Sequence, residues 1–308
     1  RQGAMAATYV FGYRVALLAA GAGALHIASA GDWSLAYGTM AALMGVGMLT
    51  TLIIREPEVA VDAHTWQMEQ RVIDYLDRTR HRGWRRDLTA WFIGAVVGPF
   101  ADFWQRFGAA ALAILLFVAV FRISDIFMGV MANPFYLDLG FSKTEIANIA
   151  AAFGLAMTLT GAALGGLLVM RFGILRMLIF TAILAPLTNL TFSWLALLGP
   201  QTYGLVFAIM ADNISGGLAI SVFIAYLSSL TNTAYTATQY ALFSSIMTLP
   251  GQFLAGFTGL LAEHVGWFWF FISAAAIGIP AIVLAIVLAR IAHPDRIPRP
   301  GRADPDDP

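Results

Sequence analysis

Apolar residues come in long runs broken by short polar interruptions, and the run lengths set the first expectation. A helix crossing ~30 Å of hydrocarbon needs about 20 mostly apolar residues. Eight stretches reach that length, at about 9–30, 33–54, 108–133, 144–170, 174–198, 202–230, 237–262 and 267–290. Backbone polar groups find no water in lipid, so each stretch is predicted to be a helix. The alternating pattern of an outer-membrane barrel does not appear. Trp91–Phe107 differs: Gly98-Pro99 cuts its apolar run, and Asp102 and Arg106 follow closely. It reads as an amphipathic helix lying in the membrane interface, with Trp91, Phe100 and Trp104 as anchors.

Composition agrees with this reading. Hydrophobic residues make up 59% of the 308 and charged residues 12%, against roughly 25% charged in soluble domains. The mean hydropathy is +0.75. A soluble globule, a disordered chain, a coiled coil and a nucleic-acid binder are excluded; the expected fold is an all-α polytopic membrane protein with the lipid bilayer as its partner. Net charge is zero, but its distribution is uneven. Arg55–Asp87 holds 14 of the 36 charges, while only Asp212 and Glu263 are charged between Met177 and Ala289. With eight spans, 15 of the 18 Lys and Arg residues fall on the side of both chain ends, and only Lys143 falls opposite. A ninth span would send Arg171, Arg176 and the basic tail across. The positive-inside bias therefore favours eight spans with both ends cytoplasmic. The large loop, with its balanced charges, reads as a solvated linker.

Two spans, a charged loop and six more spans resemble helices 5–12 of a twelve-helix major facilitator transporter, in which two six-helix halves enclose a midplane site. The expected divisions are 1–54 (two helices of an incomplete first half), 55–107 (central loop with the interfacial helix), 108–293 (six-helix bundle) and 294–308 (cytoplasmic tail). The chain begins at Arg1 without an initiator Met, so an incomplete N-terminus is expected.

A charge at the bilayer centre costs at least ~2.5–3.5 kcal/mol, so each intramembrane polar group needs a reason. Arg122 and Asp125 lie three apart on one helix face, where they can pair. They form either part of a substrate or proton path or a self-neutralised packing pair. Asp212, followed by Asn213 and Gly216-Gly217, is either a proton carrier or a carboxylate bonded at a helix contact. Arg14, one turn into the first span, either snorkels to the interface or faces the route. Asn189 follows Pro186 mid-span and suits a helix-packing bond as well as substrate contact. Gln239 and Tyr240 face either a cavity or neighbouring helices. Gly161-xxx-Gly165 and the glycines near Gly256 and Gly259 read as close-packing surfaces.

Zero cysteines exclude thiolate chemistry, and five scattered histidines give no zinc spacing. Gly21-Ala22-Gly23 lacks the context of a dinucleotide site, and no nucleophile elbow is present. Neither metal nor cofactor nor enzymatic activity is expected.

Several local runs resemble the AmpG-type muropeptide permeases of the major facilitator superfamily. Arg1–Ala7 followed by Phe11-Gly12-Tyr13-Arg14 is similar to that family's approach to its fifth span. Phe121-Arg122-Ile123-Ser124-Asp125 resembles its seventh-span signature, and Pro134–Ile146 its next connection. Asp212-Asn213, Phe223–Ser228 and Tyr235–Ser245 resemble its tenth and eleventh spans, the last most specifically. Two departures stand out: Ala150–Gly154 lacks the family's lysine, and Gly217-Leu218-Ala219-Ile220 replaces a glycine-methionine-glycine-threonine stretch. The resemblance implies proton-coupled import of N-acetylglucosaminyl-anhydro-N-acetylmuramyl peptides across the bacterial inner membrane for peptidoglycan recycling, by a protein monomeric at full length. It implies roles in the substrate and proton pathway for Arg14, Arg122, Asp125, Asp212, Gln239 and Tyr240. A transporter of another anionic metabolite such as acetyl-CoA, and a receptor derived from a transporter, are the alternatives.

Overall fold

The structure, a computed structural model, describes residues 2–24, 27–28, 31–54, 84, 97–232 and 235–291. The predicted anchor Trp91, most of the charged loop and the tail from 294 lie outside the described residues. Every regular element among the described residues is helical: α1 (Gln2–Leu18), α2 (Trp33–Ile53), α3 (Gly98–Phe107), α4 (Ala110–Phe121), α5 (Ile123–Asp138), α6 (Lys143–Ile146), α7 (Gly154–Phe172), α8 (Ile174–Leu198), α9 (Thr202–Leu230), α10 (Thr236–Ala255), α11 (Thr258–Ile277) and α12 (Ile279–Ile291). α1 runs on as a π-helical stretch, Ala19–Gly23, and Ala147–Phe153 joins α6 to α7 in the same form.

Six stretches of the described residues are long and apolar enough to cross a membrane: Trp33–Ile53, Ala110–Asp138, Thr144–Phe172, Ile174–Leu198, Thr202–Leu230 and Thr258–Ile291. The other two predicted spans correspond to α1, only 17 residues long before its π-helical end, and α10, which mixes Thr, Gln and Ser among its apolar positions. The structure also divides the last apolar stretch. Gly266 turns the chain at φ 74° inside α11, a backbone conformation that side chains with a Cβ avoid. That turn falls between the predicted spans 237–262 and 267–290.

α5 starts with a capping residue that is itself unusual. The α4–α5 span breaks at Arg122 (φ −99°, ψ −1°), where the helix loosens before resuming at Ile123. At the far end of that span Ser142 and Glu145 form a reciprocal cap: the Ser142 N–H donates to the Glu145 carboxylate at 2.9 Å, and the Glu145 N–H to the Ser142 hydroxyl at 3.2 Å.

α7 and α9 make the closest helix pair, with α8 against α9, α8 against α11, and α10 against α4 and α5. α1 lies across α7 and α9. Small residues explain the α7–α9 approach. A Cβ on Gly217 would strike the Thr158 carbonyl, and one on Gly161 the Ile214 carbonyl. A Cβ on Gly165 would come within 2.8 Å of the Leu218 carbonyl. The close-packing role expected of Gly161 and Gly165 is thus present. It is absent at Gly256 and Gly259: the first ends α10, and the second has nothing within 4 Å of its missing Cβ.

Two aromatic cores stack along the bundle. One contains Phe103, Phe117, Phe121, Phe223, Tyr226 and Phe243, with Phe121 and Phe223 stacked at 4.4 Å. The other contains Phe127, Phe135, Phe192, Phe270 and Phe271. Along the α4–α5 span, α8 and α9 the stretches between these cores carry Arg122, Asp125, Asn189 and Asp212-Asn213.

Candidate functional site: a charged belt between two apolar cores

The break after Phe121 places Arg122 beside the next helical turn, and its Nε lies 3.4 Å from the Asp125 carboxylate. The pair is incompletely engaged: Arg122 Nε makes no hydrogen bond among the described residues. Its two side chains keep 20% and 17% of their surface open. Asp212, on the facing helix α9, lies within Coulombic reach of both Arg122 and Asp125. Tyr136 of α5 also falls within reach of Asp212. Sequence spacing joined Arg122 to Asp125; the fold adds Asp212. Ala110–Asp138 and Thr202–Leu230 are each 29 residues long, and these charges sit near the middle of both. A membrane bundle therefore holds an Arg122–Asp125 ion pair and, beyond ion-pairing distance of it, a second carboxylate at mid-height, an arrangement one carboxylate proton makes neutral among the described side chains.

The other sequence candidates separate from this belt. Asn189 is fully buried, and its amide donates to the Ser124 hydroxyl at 2.7 Å, which in turn donates to the Ala274 carbonyl at 2.7 Å. It thereby ties α8, α5 and α11 one residue from Asp125. Asn213 turns away from Asp212: it accepts from Thr158 at 2.8 Å and donates to the Ile209 carbonyl at 2.9 Å, bridging α7 and α9. Arg14 lies on α1, and its side chain is outside the described residues. Tyr240 is half-buried against the core that holds Phe243, near Tyr9 of α1.

Gln239 belongs to a second polar centre, at the end of the bundle. Its amide donates to Asp102 at 2.9 Å and the Pro99 carbonyl at 3.0 Å, and accepts from the Asn232 N–H at 2.7 Å and from Arg106 at 3.2 Å. Asp102, only 1% exposed, also accepts from Arg106 Nε at 2.9 Å and Asn232 Nδ2 at 2.9 Å. α3 is thus clamped to the turn between α9 and α10. Its other face leaves Phe100 44% and Trp104 53% exposed, the amphipathic division expected of an interfacial helix. In the sequence Asp102 and Arg106 stand out only as interruptions; their four-residue spacing suits the pair they form, but their other partners lie over 120 positions away.

Two expected results follow from these geometries. Arg122→Ala should destabilise the solubilised protein more than Arg122→Ala with Asp125→Ala, because the single change leaves a largely enclosed carboxylate unpaired. A double-mutant cycle should give a coupling of about 0.5–3 kcal/mol; strict additivity would refute the pairing. Gln239→Leu takes one of three donors from buried Asp102 and one acceptor from the Asn232 N–H. Its expected cost is roughly 1–3 kcal/mol in all, read as a lower unfolding midpoint with faster amide exchange around 230–235. Unchanged exchange there would contradict the clamp.

A helical bundle with membrane-length apolar spans and a charged belt at mid-height defines a class, and comparison with known families agrees. The profile of the Major Facilitator Superfamily matches residues 110–307, and the chain belongs to that superfamily as a multi-pass membrane protein. Its relatives carry a more particular name. It is 33% identical over 289 residues to putative transporter AmpG 4 of Rickettsia conorii, covering 93% of this chain and 64% of that protein. It is 34% identical over 284 residues to putative transporter AmpG 4 of Rickettsia felis, covering 92% and 63%. Against the anhydromuropeptide permease of Escherichia coli K12 the identity is 29% over 288 residues, covering 93% and 53%. The chain thus spans less than two thirds of the length of these relatives.

Proposed function

We propose that the protein is a proton-coupled symporter of the bacterial inner membrane that imports anhydromuropeptides for peptidoglycan recycling. On this reading α1 and α2 are the last helices of one half, residues 108–293 form the other, and both ends of the chain are cytoplasmic. The two halves rock around the charged belt to expose it alternately. One observation carries the proposal: Asp212 adds a second carboxylate to the Arg122–Asp125 pair, so the belt is neutral with one proton bound and anionic without it. An unbalanced charge at mid-membrane is costly, which couples reorientation to protonation. The names of the relatives supply the substrate class. Within the belt Asp125 and Asp212 exchange the proton, while Arg122 holds the charge balance. Arg14 of α1 takes part in the substrate and proton pathway, Asn189 and Asn213 fix the helices that carry the belt, and Gln239 and Tyr240 hold the cytoplasmic end of α10.

Uptake of labelled anhydromuropeptide by vesicles, with and without an imposed inward proton gradient, tests the reading. Accumulation only with the gradient is expected. Accumulation indifferent to the gradient would remove the proton coupling, and none under either condition would remove the substrate class.

A further inference from the structure

Exposed helix faces in this bundle differ in chemistry. On α8 the exposed positions include Phe180, Leu187 and Trp194, and on α12 Ile279, Val283 and Ile291. These are surfaces suited to lipid. α10 is mixed: beside Leu249 and Phe253, its exposed positions include Thr238, Ser245 and Gln252, with the half-buried Thr248 on the same edge. Ser245 donates to the Ala241 carbonyl at 2.9 Å and Thr248 to the Ser244 carbonyl at 3.0 Å. Their protons are therefore used within the helix and their lone pairs face outward. Gln252 makes no hydrogen bond among the described residues. It lies near the middle of the run from Thr236 to the Gly266 turn, a depth where a bare amide facing hydrocarbon is strongly disfavoured. This part of α10 also runs close to the charged belt. Gly251 packs directly on Ile126, 2.7 Å from where its Cβ would stand, and these two residues adjoin Gln252 and Asp125 in sequence.

We infer that Gln252, with Ser245 and Thr248 on the turns before it, forms a substrate subsite beside the belt, one that takes the acetamido and hydroxyl groups of an amino sugar. The chemistry matches group by group. The two hydroxyls offer acceptors to sugar O–H and amide N–H donors, and the Gln252 amide can both donate to an acetyl carbonyl and accept from a hydroxyl. No cation lies on this face to select an anionic group. The subsite rests on the proposed transport of anhydromuropeptides for its ligand, and on the polarity of α10 for its place.

The absence of cysteine from the chain permits a direct test. Single variants Ser245→Cys and Gln252→Cys are compared with Leu187→Cys and Val283→Cys, which mark the lipid faces. A thiol must ionise to react, so a water-soluble thiosulfonate should label positions 245 and 252 at least about tenfold faster than 187 and 283. An anhydro-disaccharide containing N-acetylglucosamine should slow labelling at 252. Gln252→Ala should raise the KM for uptake about three- to tenfold, the weight of one hydrogen bond, with the maximal rate kept and recovery in Gln252→Asn. Labelling at 252 as slow as at 187, or labelling that the sugar leaves unchanged, would overturn the subsite. Rapid, sugar-protected labelling in a protein whose uptake ignores the proton gradient would keep the subsite and remove the symport reading instead.

Discussion

Replacing Gly217 with valine is expected to leave little folded protein in the membrane. The Cβ alone would fall on the Thr158 carbonyl and within 2.9 Å of the Ala162 nitrogen. Both are backbone atoms of α7, so no side-chain rotation can make room. α7 and α9 would have to separate, and that opens the whole seam, because Gly161 and Gly165 rest on α9 in the same manner. Forcing atoms into a packed interior typically costs about 1–3 kcal/mol, occasionally more, and here a helix pair must move apart. The Asn213–Thr158 bond, made across the same seam at 2.8 Å, would be lost with it. Gly259→Val supplies the control, since nothing lies within 4 Å of that position. The yield of monodisperse solubilised protein and its unfolding midpoint decide the matter. Equal values for the two variants would show that the α7–α9 contact is not as tight as described.

The second large effect is expected at Asp212. Asparagine keeps the shape of aspartate but cannot ionise. Asp212→Asn leaves Arg122 and Asp125 as a neutral pair, so the belt no longer needs a proton to balance its charge. Insertion and stability should be kept, because the side chain makes no hydrogen bond among the described residues and the change removes an intramembrane charge. Gradient-driven accumulation should drop to the level seen without a gradient, while exchange of substrate down its own gradient continues. Asp125→Asn should also uncouple, but with a stability cost, since it leaves the Arg122 guanidinium without its ion-pair partner. Normal gradient-driven uptake in both variants would remove these carboxylates from the proton path.

Much of the architecture is legible in the sequence because bilayer thickness is a strong length filter. Run lengths alone locate the break between the spans at Gly266, and the Arg122–Asp125 spacing gives their pairing. Long-range partners are not legible. Asp212 comes near the pair only through the folding of the bundle, and Gln239 finds Asp102 across 137 positions of chain. No local pattern encodes either contact. Asn189 illustrates the ambiguity of an isolated polar residue: mid-span position fits a packing bond or a substrate contact, and its Ser124 neighbour settles that it bonds across helices. Gln252 was missed for a different reason. An amide in an apolar run says nothing about which way it faces until its neighbours are known.

Proton movement during uptake tests the central claim most directly. Weakly buffered vesicles containing the protein are given unlabelled anhydromuropeptide without any imposed gradient, and the external pH is followed. If the belt binds a proton as substrate enters, the medium becomes alkaline with the wild-type protein and remains level with Asp212→Asn. Alkalinisation of equal size in the two proteins would contradict the account.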